Sequence, residues 1–174
     1  MLRTDNETKA WAEGQYKKVD PWSYQRTADD AFRKEKVIAA CLLMAPFPGK
    51  YRRALDIGAG EGWITRDLPA MEKFGVEISD AAASRFPDEV MRVAAGTFAG
   101  AFNLVISTET MFEHYNWKAI RDQIIAAAAP GGVIVTCNNP KWEVKALEKV
   151  IGEPVLRVEF PYKTMSMVLK AWRV

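Results

Sequence analysis

The sequence predicts an α/β protein. Helices cover both faces of a mostly parallel sheet, making three layers, and the chain ends in an antiparallel hairpin. Three observations carry this. From residue 50 onward, short apolar runs alternate with helical patterns, the signature of a covered parallel sheet. One run, Arg53 to Ile57, leads straight into Gly58-Ala59-Gly60-Glu61-Gly62, and loops at the carboxyl ends of strands are where open α/β sheets bind ligands. The last two runs are separated only by Pro161-Tyr162-Lys163-Thr164, too little chain for a crossover, so they should pair antiparallel.

Taken in order, residues 1–20 are polar without a strong period and read as an arm. A helical stretch opens after Pro21, with Ala28, Phe32, Val37, Ala40, Leu43 and Met44 on its apolar face. Pro46, Pro48 and Gly49 stop it. The first strand is Arg53–Ile57, followed by the glycine loop and a short helix from Trp63 to Ala70. Phe74–Ile78 is the second strand. Asp80 caps a short helix that Pro87 ends. Val90–Ala94 and Phe102–Ser107 are the third and fourth strands. A helix from Trp117 to Ala129 ends at Pro130-Gly131-Gly132, and Val133–Cys137 is the fifth strand. A last helix, Lys141–Ile151, precedes the hairpin strands Val155–Phe160 and Ser166–Trp172. Residues 1–49 form an N-terminal arm and helix over the site, residues 50–174 form the core, and the whole is one domain.

The 174 residues suit one domain. Twenty-four Lys and Arg against 22 Asp and Glu leave a net charge of +2, too balanced to mark a nucleic-acid binder. Lys141, Lys145, Lys149 and Arg157 read as a solvated face. Cys41 and Cys137 lie far apart in apolar surroundings with no zinc spacing, so buried free thiols and no metal are expected. The longest apolar stretch, Val37–Phe47, is too short to span a bilayer, and the polar N-terminus has no secretory pattern. A cytoplasmic protein without membrane contact is expected.

The chemistry concentrates in Asp56-Ile57-Gly58-Ala59-Gly60-Glu61-Gly62. A dinucleotide fingerprint would need glycine at position 63, where Trp63 stands. A glycine turn with incidental acids is the bland alternative. The spacing G-x-G-x-G, with an acid two residues before the first glycine and Glu77 at the end of the next strand, resembles motif I of the class I S-adenosylmethionine methyltransferases. Phe102-Asn103-Leu104-Val105-Ile106, Met111-Phe112-Glu113-His114 and Pro130-Gly131-Gly132-Val133-Ile134-Val135 are similar to later segments of that family. The stretch Asp20-Pro21-Trp22 with Phe32-Arg33-Lys34-Glu35-Lys36, and Glu109 after the fourth strand, are similar to the nodulation-type (NodS-like) members, which methylate an amine on a sugar oligomer.

The resemblance implies a Rossmann-like sheet and S-adenosyl-L-methionine as cofactor, with S-adenosyl-L-homocysteine as product. Asp56, Gly58, Ala59 and Gly60 would hold the methionyl part, and Glu77 and Ile78 the ribose side. Where the family often carries an acid for the adenine amine, this chain has Ala94-Ala95-Gly96-Thr97-Phe98. Backbone groups there, with Thr97 and Phe98, are expected to read the adenine instead. Trp11, Tyr16, Trp22 and Tyr24 are either an aromatic lid over the sulfonium cation or packing on the sheet edge. Tyr16 and Tyr24 can also bind the cofactor through their hydroxyls.

Methyl transfer from a sulfonium is an in-line displacement, so positioning supplies most of the acceleration. A base is needed only when the acceptor arrives protonated. Glu109, Glu113 and His114 follow the fourth strand and are the candidate catalytic residues, with a helix cap as the structural alternative for Glu109 and for His114. The expected reaction is methylation of an amine or hydroxyl on a small molecule or saccharide. The alternatives are an RNA or protein methyltransferase, for which no basic face is evident, and a non-catalytic module that binds the cofactor.

Overall fold

The computed structural model describes residues 4–46, 49–97, 99–111, 115–140 and 147–174. Their centre is a seven-stranded sheet: β1 (Tyr51–Ile57), β2 (Ala70–Val76), β3 (Val90–Arg92), β4 (Phe102–Thr108), β5 (Ala128–Asn138), β6 (Leu156–Tyr162) and β7 (Met165–Arg173). The order is β3-β2-β1-β4-β5-β7-β6. β1 to β5 pair in parallel. β7 runs antiparallel to both of its neighbours, so it alone is reversed, and the expected C-terminal hairpin is present. Its turn is tighter than the sequence suggested. Pro161 and Tyr162 still pair, with Ser166 and Met165, and Lys163 makes the turn in the left-handed region (φ 51°).

Strand side chains alternate between faces, and the two faces bury separate cores. Leu104 and Ile106 pack with Val133, Val135, Leu169 and the inner stripe of α2 (Ala28–Met44). Val105 packs on the other face with Leu55, Val76, Ile134 and Ile124 of α4 (numbered below). Cys41 and Cys137 are buried free thiols.

Several elements differ from the sequence expectation, each for a local reason. The arm contains α1 (Asp5–Gln15), started by a capping box: Glu7 N–H donates to Thr4 Oγ1 and Thr4 N–H to Glu7 Oε2 (2.7 Å). The buried stripe of α2 is Asp30, Arg33, Val37, Ala40, Cys41 and Met44. Phe32 and Leu43 face outward, at 38% and 73% exposure. The helix after the glycine loop is a single 3₁₀ turn, Thr65–Asp67, and β2 has already begun at Ala70. Ser79, not Asp80, caps the short α3 (Asp80–Ala83). α4 (Trp117–Ala127) is capped by Asn116. Pro130-Gly131-Gly132 lies inside β5, at a register irregularity against β4. A Cβ on Gly132 would stand 2.7 Å from the Ala129 carbonyl oxygen, so only glycine fits. Of the expected last helix, Glu148–Ile151 is observed as α5, and 141–146 lie outside the described residues.

Among the described residues no helix is long and apolar enough to cross a membrane, and no group of three His, Cys, Asp or Glu is placed to hold a metal.

Candidate functional site

At the carboxyl end of the sheet, the glycine loop, the segment after β4 and the N-terminal helices enclose a cavity of about 920 Å³. The loop turns because Gly58 and Gly60 take positive φ (81° and 58°). A Cβ on Gly58 would overlap Thr110, so glycine there lets the segment after β4 close against the loop. The Gly58 and Ala59 N–H groups donate to the Val76 carbonyl, tying the loop to β2. With no helix behind it, the loop has no helix dipole to offer a ligand. Its polar chemistry comes from side chains instead. Glu77 Oε2 accepts from Gly60 N–H (2.8 Å) and Oε1 from Ser79 N–H (2.9 Å). Burial raises the Glu77 carboxyl above its ordinary range, and those N–H donors oppose the rise.

One end of the cavity is charged. Asp56 is 2% exposed. Its Oδ2 accepts from the Thr65 hydroxyl (2.7 Å), and its Oδ1 has no partner among the described residues. Burial pushes its carboxyl up to about 7; the Thr65 hydrogen bond and Arg33 oppose this, and Glu77 adds to it. Arg33 of α2 is equally buried. Its guanidinium lies 4.6 Å from the Tyr24 ring centroid and 3.4 Å from Asp30 Oδ1, and its Nε has no partner among the described residues. Glu109 sits in the left-handed region (φ 58°), held by its N–H on the Cys137 carbonyl (3.0 Å). Its Oε1 is likewise buried without a partner among the described residues, and burial raises its carboxyl while Arg33 opposes the rise. Asn138, fully buried at the end of β5, accepts from Thr110 N–H (3.2 Å) and so pins this segment.

Aromatic rings wall the same end. Trp22 meets Trp11, Tyr16 and Tyr24 at centroid distances of 6.1, 5.1 and 5.8 Å, and Trp11 meets Tyr115 at 6.2 Å. The Tyr16 hydroxyl stands over Gly60, 2.8 Å from where a Cβ would be. Surface contacts hold α1 in place. Asp80 N–H donates to Glu13, Lys9 pairs with Asp80 (2.8 Å), Arg85 bonds the Tyr16 carbonyl (2.8 Å), and Asn116 reaches Asp5 (3.3 Å). Trp63 also lines the cavity, under Lys34 at 4.6 Å.

The other end is mostly apolar: Ile78, Val93, Ala94 and Ala95 from the ends of β2 and β3 line it with Ala119, Ile120 and Gln123 of α4, and the half-exposed Arg92 beside them is paired with Asp80. Thr97 stands outside the cavity, beside a separate hollow, and its hydroxyl donates to the Ala94 carbonyl (2.7 Å). The expected role for Thr97 therefore has no geometry behind it here. Phe98, Glu113 and His114 lie outside the described residues, as do Lys141 and Lys145; Lys149 and Arg157 are exposed. The structure thus brings Asp56, Gly58, Ala59, Gly60, Glu77, Ile78, Tyr16, Tyr24 and Glu109 to one cavity. It adds Arg33 and Gln123, which the sequence reading did not single out as site residues. The available signal for Arg33 was a cation on the buried period of α2.

No family model matches the chain, and no curated protein matches it in sequence. Solved structures do resemble it. The N-methyltransferase NodS from Bradyrhizobium japonicum WM9, in complex with S-adenosyl-L-homocysteine, superposes with a TM-score of 0.79 at 17% identity, over 95% of this chain and 97% of that one. Magnesium protoporphyrin IX methyltransferase from Synechocystis PCC 6803, with bound SAM, gives 0.68 at 13% identity over 99% of both chains. A Haloferax volcanii complex of the Trm112 methyltransferase activator with a putative methyltransferase gives 0.66 at 14% identity, over 98% of this chain and 97% of that one. At these identities the likeness is one of fold: the chain has the class I methyltransferase fold.

Proposed function

We propose that this chain is an S-adenosylmethionine-dependent methyltransferase acting on an amine or hydroxyl of a small molecule or saccharide. The observation that carries the reading is the polarity of this cavity. Its charged end leaves Asp56 Oδ1, Arg33 Nε and Glu109 Oε1 buried without partners among the described residues, and buried polar atoms are normally satisfied. An amino-acid zwitterion beside a sulfonium supplies the ammonium, carboxylate and positive charge this end lacks. Glu77, also in the lining, is assigned to the ribose diol, and the mostly apolar end suits an uncharged base.

When bound, the cofactor supplies a methyl group on a cationic sulfur. The chain's own groups do the rest. The faces of Tyr16, Trp22 and Tyr24 offer negative charge density to a cation. Arg33 and Asp56 orient the methionyl part. Thr108, Glu109 and Thr110 border the space through which an acceptor approaches. Glu109, Glu113 and His114 are the proposed catalytic groups, with His114 the base that takes up the acceptor's proton and Glu109 a hydrogen-bond acceptor for the amine. That NodS is an N-methyltransferase supports an amine acceptor.

The test is calorimetric binding of S-adenosyl-L-homocysteine, followed by its release from S-adenosylmethionine with amine and hydroxyl acceptors. Binding with release supports the reading. Absence of binding overturns the cofactor assignment, and binding without release on any acceptor class favours a non-catalytic module. With an acceptor in hand, His114→Ala should lower turnover roughly 100-fold with little change in cofactor affinity. His114→Asn should be equally slow if proton uptake, not positioning, is the role. Wild-type rates in both variants would leave Glu109 and positioning to drive the reaction.

A further inference from the structure

Away from Asp56, Arg33 and Glu109, the cavity lining keeps two buried side-chain atoms without partners among the described residues, Thr8 Oγ1 and Gln123 Oε1. On α4, the positions facing the cavity are Asn116, Ala119, Ile120 and Gln123, spaced three or four apart as one helix face requires. Ile124 and Ala127, on the neighbouring stripe, are fully buried against the sheet, so α4 is fixed in rotation. Gln123 Oε1 is out of contact with solvent and has no partner among the described residues. Opposite stand Ala94 and Ala95, which can offer backbone groups but no side-chain acceptor. Gly100 N–H donates to the Ala126 carbonyl (2.7 Å), which fastens the chain following β3 to the end of the same helix.

We infer that Gln123 reads the adenine of the cofactor: its amide oxygen accepts from the exocyclic amine, and its amide N–H donates to a neighbouring ring nitrogen. The inference rests on the proposed function and deepens it. An amide carries an acceptor and a donor side by side, and an adenine edge presents the complementary pair. On the edge formed by the 6-position and N7 a 6-oxo purine presents two acceptors, so the amide in either orientation keeps one hydrogen bond and loses the other. The work that an acid after β3 would do is carried out from the helix on the opposite wall.

The experiment compares binding of S-adenosyl-L-homocysteine with that of its 6-oxo analogue, S-inosyl-L-homocysteine, by calorimetry. Wild type should prefer the adenine ligand by roughly ten- to hundred-fold, the consequence of leaving a buried hydrogen-bonding group unpaired. Gln123→Leu should bring the two affinities within a few-fold of each other, and adding Ala95→Asp should restore part of the preference from the other wall. Should the leucine variant fail to fold, Gln123→Glu keeps the size and the acceptor, and should keep a preference for the adenine ligand. A wild type that binds both ligands equally, or a Gln123→Leu that keeps the full preference, overturns the inference while leaving the cofactor assignment standing. In those cases the amide is satisfied by water alone. A wild type that binds neither ligand overturns both.

Discussion

The two ends of the cavity obey opposite rules. At the β1–β4 end the chain buries charge at a loss: Asp56, Arg33 and Glu109 each keep a hydrogen-bonding atom without a partner among the described residues. At the β3 end the lining is mostly apolar: alanines, Val93 and Ile120 stand with the amides of Asn116 and Gln123, and the half-exposed Arg92 is paired with Asp80. A fold gains nothing from the first arrangement on its own, since an unpaired buried polar group costs about 1–3 kcal/mol. The contrast shows where binding energy is held in reserve. The charged end is poised for a ligand that carries charge of both signs. The mostly apolar end gives shape and the directional contact of Gln123.

The largest effect expected from breaking this contrast is a gain in stability. Asp56 has its carboxyl pushed up to about 7 by burial, against an ordinary value of 3.8. The folded chain therefore holds this proton more tightly than the unfolded one, and stability should fall as pH rises from about 4 to about 7. The groups acting on Asp56 are the Thr65 hydroxyl and Arg33, which favour its charge, and Glu77, which opposes it. Replacing it by an uncharged isostere, Asp56→Asn, should stabilise the ligand-free protein at pH 8 by up to about 4 kcal/mol while weakening S-adenosyl-L-homocysteine binding. Urea denaturation of wild type and variant across that range isolates Asp56 from Glu77 and Glu109, whose carboxyls burial also raises. Parallel stability curves would show that Asp56 carries no such burden.

Next in size is Glu77→Ala. It removes the carboxylate that Gly60 and Ser79 now share and that the proposal assigns to the ribose. A lost charged hydrogen-bond partner is worth roughly 1.5–3 kcal/mol, about ten- to hundred-fold in affinity. Titration with S-adenosyl-L-homocysteine should show that loss while the variant stays folded at the titration temperature, its thermal transition lowered by the unpaired Gly60 and Ser79 N–H groups. A variant that binds as well as wild type would detach Glu77 from the site.

Much of this contrast was legible in the sequence. Strand alternation and the short final connection gave the sheet and its reversed hairpin strand, because period-2 burial and chain length leave few alternatives. Asp56, the loop glycines and Glu77 were legible because a turn needing positive φ between two acid-bearing strands is a local pattern. The rest depends on contacts distant in sequence. In the sequence Arg33 stands out only within Phe32-Arg33-Lys34-Glu35-Lys36, the stretch similar to the NodS-like members, and the apolar face of α2 is placed through Phe32 and Leu43; only the packed sheet shows that Asp30 and Arg33 occupy the inner stripe. Gln123 looked like an ordinary helix residue until α4 met the end of β3. The helix expected after the glycine loop failed because Leu68-Pro69 ends the segment and β2 starts at once. The start of α1 could have been read from the sequence, since Thr4-Asp5-Asn6-Glu7 is a capping box.

The smallest effect concerns the aromatic wall, where ring and hydroxyl are separable. Tyr16 is 8% exposed, edge-on to Trp22 at 5.1 Å, and its hydroxyl stands over Gly60. Burial raises that hydroxyl above its ordinary range, with Glu77 adding to the rise, so it remains a neutral donor at working pH. Tyr16→Phe keeps the ring and deletes the donor. A neutral hydrogen bond contributes about 0.5–1.5 kcal/mol net, so S-adenosyl-L-homocysteine affinity should fall about two- to ten-fold if the hydroxyl holds the methionyl carboxylate. Homocysteine-bearing product lacks the sulfonium charge, whereas S-adenosylmethionine carries it. A ring-face contribution should therefore survive in Tyr16→Phe and vanish in Tyr16→Leu, and only for the charged ligand. Calorimetry with both ligands on both variants separates the two roles. Equal loss for both ligands in Tyr16→Phe assigns Tyr16 to the carboxylate. Loss confined to S-adenosylmethionine in Tyr16→Leu assigns it to the cation, and wild-type affinities throughout would make the wall a packing surface on the charged end.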